Sequence, residues 1–88
     1  SERWAQSFTA AFTDFCAKTE RGMEMVLDPY GAESPAEFFA VTSEAFFETP
    51  HILRQEYPDV YRQLAAFYRQ DPAARRNPES QNPEFRCA

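Results

Sequence analysis

The 88-residue sequence predicts an all-α fold, a small bundle of about four helices. Two observations carry this prediction. Apolar residues recur at the three- and four-residue spacing of amphipathic helices through most of the first 70 positions. Prolines also stand at the first position of three consecutive segments with that spacing, where the missing amide proton costs a helix nothing. We therefore expect helices joined by tight turns.

The first predicted helix runs from Trp4 to about Arg21. Its apolar positions share one face, and the polar residues lie elsewhere on the helical wheel. Lys18 and Arg21 are placed to interact favourably with the carboxyl end of the helix dipole. Gly22 follows and can adopt the left-handed conformation that ends a helix. The face consists of Trp4, Phe8, Ala11, Phe12, Phe15 and Thr19.

Residues 23–33 are predicted to form an ordered loop. Asp28-Pro29 starts a turn, and Gly31 permits a further reversal. We expect the loop to bring Tyr30 close to the start of the next helix.

The stretch Ser34 to Glu48 predicts a core helix that carries acidic residues. Ser34, Pro35 and Glu37 supply an N-cap, a first-turn proline and the third-position glutamate of a capping box. At about 100° per residue, Glu37, Glu44 and Glu48 fall on one narrow stripe. Apolar side chains occupy most of the remaining circumference, so these carboxylates must meet water, a cation or a metal ion.

The residues alone leave the role of this stripe open. Glu37 is explained by bonding back to the Ser34 amide, which adds about 1 kcal/mol of capping stability. The three carboxylates could also be a solvated acidic seam or a metal-seeking set. A buried seam would require Arg, Lys or metal for compensation.

Two short proline-initiated helices are predicted next. Thr49 and Pro50 open the first, with Ile52 and Leu53 facing the core, and Pro58 opens the second. The apolar side of the second comprises Val60, Tyr61, Leu64, Phe67 and Tyr68. We assign residues 1–72 to one helical domain and residues 73–88 to a disordered tail.

Composition excludes several classes of function. A net charge of −5 with nine basic residues argues against nucleic-acid binding. No apolar run is long enough for a membrane span, and no signal peptide is recognisable, so we expect a soluble, cytoplasmic protein. Cys16 and Cys87 are expected to be free thiols, and His51 an exposed residue without a function. Two glycines cannot form a phosphate loop.

Nine Phe, four Tyr and one Trp are more than so small a core needs. This excess suggests either an interface or a segment of a longer protein.

The runs DPYGAESPAEFFAVTSEAFFETP and PDVYRQLAAFYRQDP resemble the C-terminal part of the Mlc titration factor A family. These proteins are bacterial zinc-dependent peptidases of the gluzincin type, related in their catalytic domain to anthrax lethal factor. The resemblance covers roughly Asp28 to Pro72, and more loosely the helix before it. It implies the C-terminal helical subdomain of a zincin-like metallopeptidase.

The resemblance also implies roles for three residues. Glu37 matches the glutamate of the PAE motif, which is the third zinc ligand of the family. Tyr30 matches a tyrosine seven residues earlier that stabilises the oxyanion of the transition state. Glu44 matches an acidic position, to which we assign an orienting or structural role beside the metal. The implied partners are a peptide substrate and a transcriptional repressor.

One departure from the family decides how this resemblance is interpreted. A His₂Glu zinc site needs two histidines four residues apart and a general base between them, and the sequence contains no HExxH. We therefore expect an 88-residue segment that is inactive alone and does not bind Zn²⁺ tightly. The alternatives are a non-catalytic helical module that binds a protein partner and a homodimer formed through exposed Phe-rich faces.

Overall fold

The computed structural model describes residues 2–74 and confirms the all-α prediction. Four α-helices and two short 3-10 helices make up this part of the chain, which contains no strand. The predicted tail beyond residue 74, with Cys87, lies outside the described residues. None of the described helices is long and apolar enough to cross a membrane. The helices are α1 (Glu2–Glu20), α2 (Pro35–Glu48), α3 (Pro50–Glu56) and α4 (Pro58–Tyr68), and the 3-10 helices are Pro29–Ala32 and Pro72–Ala74.

Helix α1 ends as the sequence predicted. Gly22 has a φ of +71°, in the left-handed region that favours glycine. Its amide donates to the Thr19 carbonyl at 3.0 Å, and the Met23 amide donates to the Lys18 carbonyl at 3.1 Å. These two bonds satisfy carbonyls that the end of the helix would otherwise leave unpaired.

The segment before α2 forms one turn of 3-10 helix at Pro29–Ala32. Asp28 caps this turn, because its carboxylate accepts a hydrogen bond from the Tyr30 amide at 3.0 Å. Gly31 lies within this turn, as predicted, and its φ is not in the left-handed region. It is needed for close approach instead, because a Cβ atom at Gly31 would lie 3.3 Å from both Phe15 Cε2 and Val41 Cβ.

Single residues join α2 to α3 and α3 to α4. Thr49 and Tyr57 have nearly equal backbone angles, with φ of −136° and −138°. Thr49 is the N-cap residue of α3, as predicted, but its side chain makes no capping bond, because its hydroxyl donates back to the Ala45 carbonyl. The Thr49 carbonyl instead accepts the first backbone bonds of α3, from Ile52 and Leu53.

All four helices contribute to one hydrophobic core. Phe15, Phe46 and Leu64 are among its fully buried side chains. Ile52, which was predicted to face the core, is 40% exposed, and Phe67, on the apolar side predicted for α4, is 60% exposed. A seven-residue helix can bury only a narrow face, and in α3 Leu53 occupies it.

The chain remains packed beyond α4. The Tyr61 hydroxyl donates to the Asp71 carboxylate and accepts a hydrogen bond from the Ala73 amide at 2.8 Å. Ala73, one residue past position 72, is therefore buried, whereas Ala74 is exposed.

Candidate functional site

Tyr30 projects from the 3-10 turn that precedes α2. Its backbone amide is held by Asp28, so the turn fixes the position of the residue. The side chain is 56% exposed, and within residues 2–74 its hydroxyl makes no hydrogen bond. The hydroxyl is thus available to an external acceptor.

Glu37 lies in the first turn of α2 and is half-buried. Its amide donates to Ser34 Oγ at 3.1 Å, which is one half of the predicted capping box. The other half, from the Ser34 amide to the Glu37 carboxylate, is absent from the described part of the chain. Capping of the helix therefore leaves the Glu37 carboxylate without a hydrogen bond in the described chain.

The turn that carries Tyr30 is fixed directly against the helix that carries Glu37. Gly31 packs on Val41 Cβ, one turn further along α2 than Glu37. Only Glu33 and Ser34 separate the two elements, and the Glu33 amide bonds back to the Tyr30 carbonyl at 3.0 Å. The two candidate residues consequently sit on a rigid corner between the turn and the helix.

Glu44 and Glu48 lie further along the same stripe and are both exposed. They border a shallow depression of about 130 Å³, together with Asp28 from the preceding loop. Neither carboxylate forms an ion pair with another described residue. These two members of the stripe are solvated, and the depression does not include Glu37.

Residues 2–74 do not form a catalytic metal centre. No three His, Cys, Asp or Glu side chains within this range are grouped so that they could share an ion. His51 is exposed, as predicted, and does not join Glu37. The described chain therefore offers one carboxylate where a catalytic zinc site needs three protein ligands.

A second polar cluster was not predicted from the sequence. The Tyr57 hydroxyl donates to Asp14 Oδ2 at 2.8 Å, and Lys18 Nζ lies 2.9 Å from the same oxygen. The Lys18 ammonium also lies 5.6 Å from the centre of the Tyr57 ring. Asp14 and Lys18 are four residues apart on α1, a signal the sequence contains, but their pairing with Tyr57 depends on tertiary structure.

Burial and hydrogen bonding determine the electrostatics of this cluster. Hydrogen bonds from Lys18 and then Tyr57 hold the pKa of the Asp14 carboxyl below its usual value of 3.8. Burial, followed by the hydrogen bond to Asp14, raises the pKa of Tyr57 well above 10.0. A phenol held protonated in this way is suited to structural hydrogen bonding, and we assign the cluster to stability.

The described segment thus presents a half-buried glutamate and an exposed tyrosine whose side chains the fold itself does not bond. The chain belongs to the family of glucose-regulated metallo-peptidases M90, which it matches over residues 1–69.

Individual relatives agree with this family. The chain is 48% identical over 61 residues to Mlc titration factor A of Pectobacterium atrosepticum, covering 69% of this chain and 23% of that protein. It is 55% identical over 49 residues to Mlc titration factor A of Yersinia enterocolitica, covering 56% of this chain and 18% of that protein. An uncharacterized protein of Synechocystis sp. is 35% identical over 71 residues, 81% of this chain and 26% of its own length. No solved structure matches the chain significantly.

The chain thus spans 18–26% of the length of these relatives.

Proposed function

We propose that this chain is the C-terminal segment of a zinc-dependent peptidase, in which Glu37 is the third metal ligand and Tyr30 contacts the reacting carbonyl. One observation supports this proposal above the others. The Glu37 carboxylate and the Tyr30 hydroxyl make no hydrogen bond within residues 2–74, although the backbone on both sides of each is firmly held. Polar groups positioned but not used by the fold are available for a site completed by other residues.

The chemistry of the proposed site requires residues that this chain does not contain. In such enzymes a zinc ion bound by two histidines and one glutamate lowers the pKa of its bound water and polarises the peptide carbonyl. Glu37 supplies one of these three ligands, and the two histidines come from outside the chain. Tyr30 donates a hydrogen bond to the oxygen on which negative charge develops. Glu44 lies two helical turns from Glu37, too far to bind the same metal ion directly. We assign it an indirect role, through water or through a side chain beside the metal.

Zinc affinity tests the assignment of Glu37. In the full-length protein, Glu37→Gln keeps the size and the cap of the residue but removes the anionic ligand. We expect zinc affinity and peptidase activity to be lost together, while Glu20→Gln, at an exposed position of α1 outside the proposed site, leaves both unchanged. The isolated 88-residue chain should not bind zinc stoichiometrically at micromolar concentration. Stoichiometric binding by this chain, or full zinc affinity in the Glu37→Gln protein, would contradict the proposal.

Steady-state kinetics test the assignment of Tyr30. Tyr30→Phe removes only the hydroxyl from an exposed side chain, so the fold and the metal affinity should remain. Removing one donor to a developing oxyanion lowers kcat by about 10²–10³-fold, with little change in KM. An unchanged kcat would exclude Tyr30 from the chemistry and leave the assignment of Glu37 in place.

A non-catalytic interaction with a protein is the second candidate function. Its support is the set of aromatic side chains that the fold leaves exposed, among them Phe47 at 46% and Phe67 at 60%. The name of the relatives refers to Mlc, and the partner we propose for this chain is a transcriptional repressor, which would place the protein in the cytoplasm. Binding of that repressor by a Glu37→Gln protein would show that this function is independent of the metal.

A further inference from the structure

Helix α2 presents an outward face that its own bundle does not cover. Ala36, Ala40, Ser43 and Phe47 are spaced by four, three and four residues and therefore lie in one line. Ala36, Ala40 and Phe47 are exposed, and Ser43 is half-buried. We call this line the α2 seam. Its spacing is that of a helix face that packs against another helix.

An aromatic rim borders one side of the α2 seam. The Phe39 ring centre lies 6.1 Å from that of Phe67 on α4. The Phe67 ring centre lies 5.5 Å from that of Trp4 on α1 and 4.9 Å from that of Tyr68. Tyr68 in turn donates a hydrogen bond to Ser43 at 3.1 Å. Three helices thus share one partly exposed apolar surface, whereas Phe38 and Phe46 of α2 are fully buried inside the bundle.

The acidic stripe borders the other side. Glu37, Glu44 and Glu48 follow the seam along its whole length, and none of them forms an ion pair with a described residue. The α2 seam is therefore an apolar strip with aromatic side chains along one edge and carboxylates along the other. At 1.5 Å per residue, the seam from Ala36 to Phe47 is roughly 17 Å long, which matches about three turns of a packed helix.

A second copy of the chain is a poor partner for the α2 seam. In a twofold dimer with antiparallel seams, each acidic edge faces the acidic edge of the other copy. With parallel seams, it faces the aromatic rim. Neither arrangement brings cations to the three glutamates, and each copy carries a net charge of −5.

The length of the relatives indicates a different occupant. This chain spans only 18–26% of them, so three quarters of such a protein lies outside it. We infer that the α2 seam seats a helix from that remaining part, with an apolar face on Ala36, Ala40 and Phe47 and basic residues along the edge that meets Glu44 and Glu48. The inference rests on the proposed function in requiring a longer protein. The small side chains allow the two helix axes to approach to about 8–10 Å.

The test compares one substitution in two contexts. The first is the isolated 88-residue chain, and the second is the full-length Pectobacterium atrosepticum relative with its matched segment replaced by the residues of this chain. In the isolated chain Ala40→Glu should lower the melting temperature by about 2–5 °C, because Ala40 is exposed but the new carboxylate lies three and four residues from Glu37 and Glu44 on the same helix. In the chimera the same change also buries a charge in a helix contact and should lower the melting temperature by about 5 °C beyond that.

Two further variants control the comparison. Ala17→Glu places the same charge on the exposed opposite face of α1 and should behave alike in both contexts. Ala36→Glu repeats the test one turn from Ala40 and should reproduce the difference between contexts. Equal effects of Ala40→Glu in the chain and in the chimera would overturn the inference. Fast amide exchange of the grafted segment in the unsubstituted chimera, at the rates of the isolated chain, would do the same.

Sedimentation of the isolated chain tests the second-copy alternative. The chain could form a stable dimer that Ala40→Glu dissociates and Ala17→Glu leaves intact. That result would assign the α2 seam to self-association and overturn the inference. The proposed function is tested separately by Glu37→Gln in the chimera. If zinc affinity survives Glu37→Gln while Ala40→Glu still destabilises only the chimera, the docking inference stands and the ligand assignment fails.

Discussion

The Tyr57 hydroxyl donates a 2.8 Å hydrogen bond to Asp14, which ties the joint between α3 and α4 to the middle of α1 across 43 residues of sequence. Tyr57 is a buried ring with a polar end, whereas half of the Asp14 side chain is open to water. The contact therefore orients α1 on the other helices. Lys18 Nζ lies 2.9 Å from the same Asp14 oxygen and also holds the carboxylate in place.

Tyr57→Phe should destabilise the fold modestly. The substitution keeps the ring contacts with Phe15 and Phe38 and removes only the hydrogen bond. A net loss of about 0.5–1.5 kcal/mol in the free energy of unfolding follows, measured by urea denaturation at pH 7. Tyr57→Ala, which also deletes a buried ring, should cost about 3–5 kcal/mol. If Tyr57→Phe has the same stability as the original chain, the hydrogen bond contributes nothing net.

The same pair predicts loss of stability at both extremes of pH. The pKa of Asp14 is lowered in the folded state, so its contribution is present above 3.8 and disappears as the pH falls through the folded-state value. The pKa of Tyr57 is raised, so its contribution is complete below 10.0 and is lost as the pH rises beyond that. Melting temperatures measured from pH 2 to pH 11 should show both declines.

Tyr57→Phe is the control for the alkaline side of this profile. The variant should lose less stability above pH 10 than the original chain, because one phenol with a raised pKa has been removed. A decline remains, since burial and the hydrogen bond to Asp71 also raise the pKa of Tyr61. Identical alkaline slopes in the two proteins would contradict the account of Tyr57.

Gly31→Ala should be destabilising although its backbone is not left-handed. The added methyl group would meet Phe15 and Val41 at 3.3 Å, closer than ordinary contact allows. Overpacking of this kind costs about 1–3 kcal/mol, from which about 0.4–1 kcal/mol is recovered through lower entropy of the unfolded chain. Thermal unfolding of the variant measures the balance.

Asparagine at the two glycine positions separates the two reasons for glycine. Gly22→Asn should be nearly neutral, because asparagine tolerates the left-handed conformation and no atom lies within 4 Å of the added Cβ. Gly31→Asn should cost more than Gly31→Ala, since the larger side chain wedges the 3-10 turn away from α1 and α2. If Gly22→Asn lowered the stability more than Gly31→Asn, the close-approach explanation would be refuted.

The two proline-initiated helices α2 and α3 should differ in their response to loss of a capping side chain. Ser34→Ala removes the hydrogen bond to the Glu37 amide and should lower stability by about 1 kcal/mol. Thr49→Ala should cost less, because the Thr49 side chain makes no cap bond to α3. Equal losses in denaturant titrations would show that the Thr49 hydroxyl stabilises the joint in another way.

Sequence pattern predicts the helices of this protein better than their exposed faces. Proline at the first position fixes where α2, α3 and α4 begin, and Gly22 fixes where α1 ends, since both effects are local. The prediction that Ile52 faces the core is wrong, and Phe67 is largely exposed although it lies on the apolar side of α4. A helical wheel gives the direction of a side chain but not which neighbours reach it. The sequence correctly places Gly31 in a turn. Its close approach to α1 and α2 could not be predicted, because those contacts depend on tertiary structure.

The candidate site is less accessible to sequence reasoning than the fold. The spacing of Glu37 is equally consistent with a cap, a solvated stripe and a ligand, because all three use one carboxylate at the start of a helix. The structure shows that only the Ser34 side chain takes part in the cap. The metal role derives from the resemblance to a family and stays a prediction, because the other ligands it requires are not in this chain.

The single-residue joints at Thr49 and Tyr57 limit where proteases can act within residues 34–68. A protease must draw several residues in extended form into its cleft, and from Ser34 to Tyr68 the chain offers no loop that long. Between α1 and the 3-10 turn, by contrast, Gly22, Met23 and Glu24 are consecutive exposed residues outside any helix. A cut there would divide the bundle into two pieces, α1 and the remainder, held together by the aromatic contacts of Phe8, Phe12 and Phe15 with Phe38. The nicked molecule would keep its shape and migrate as one particle until a denaturant separated the halves.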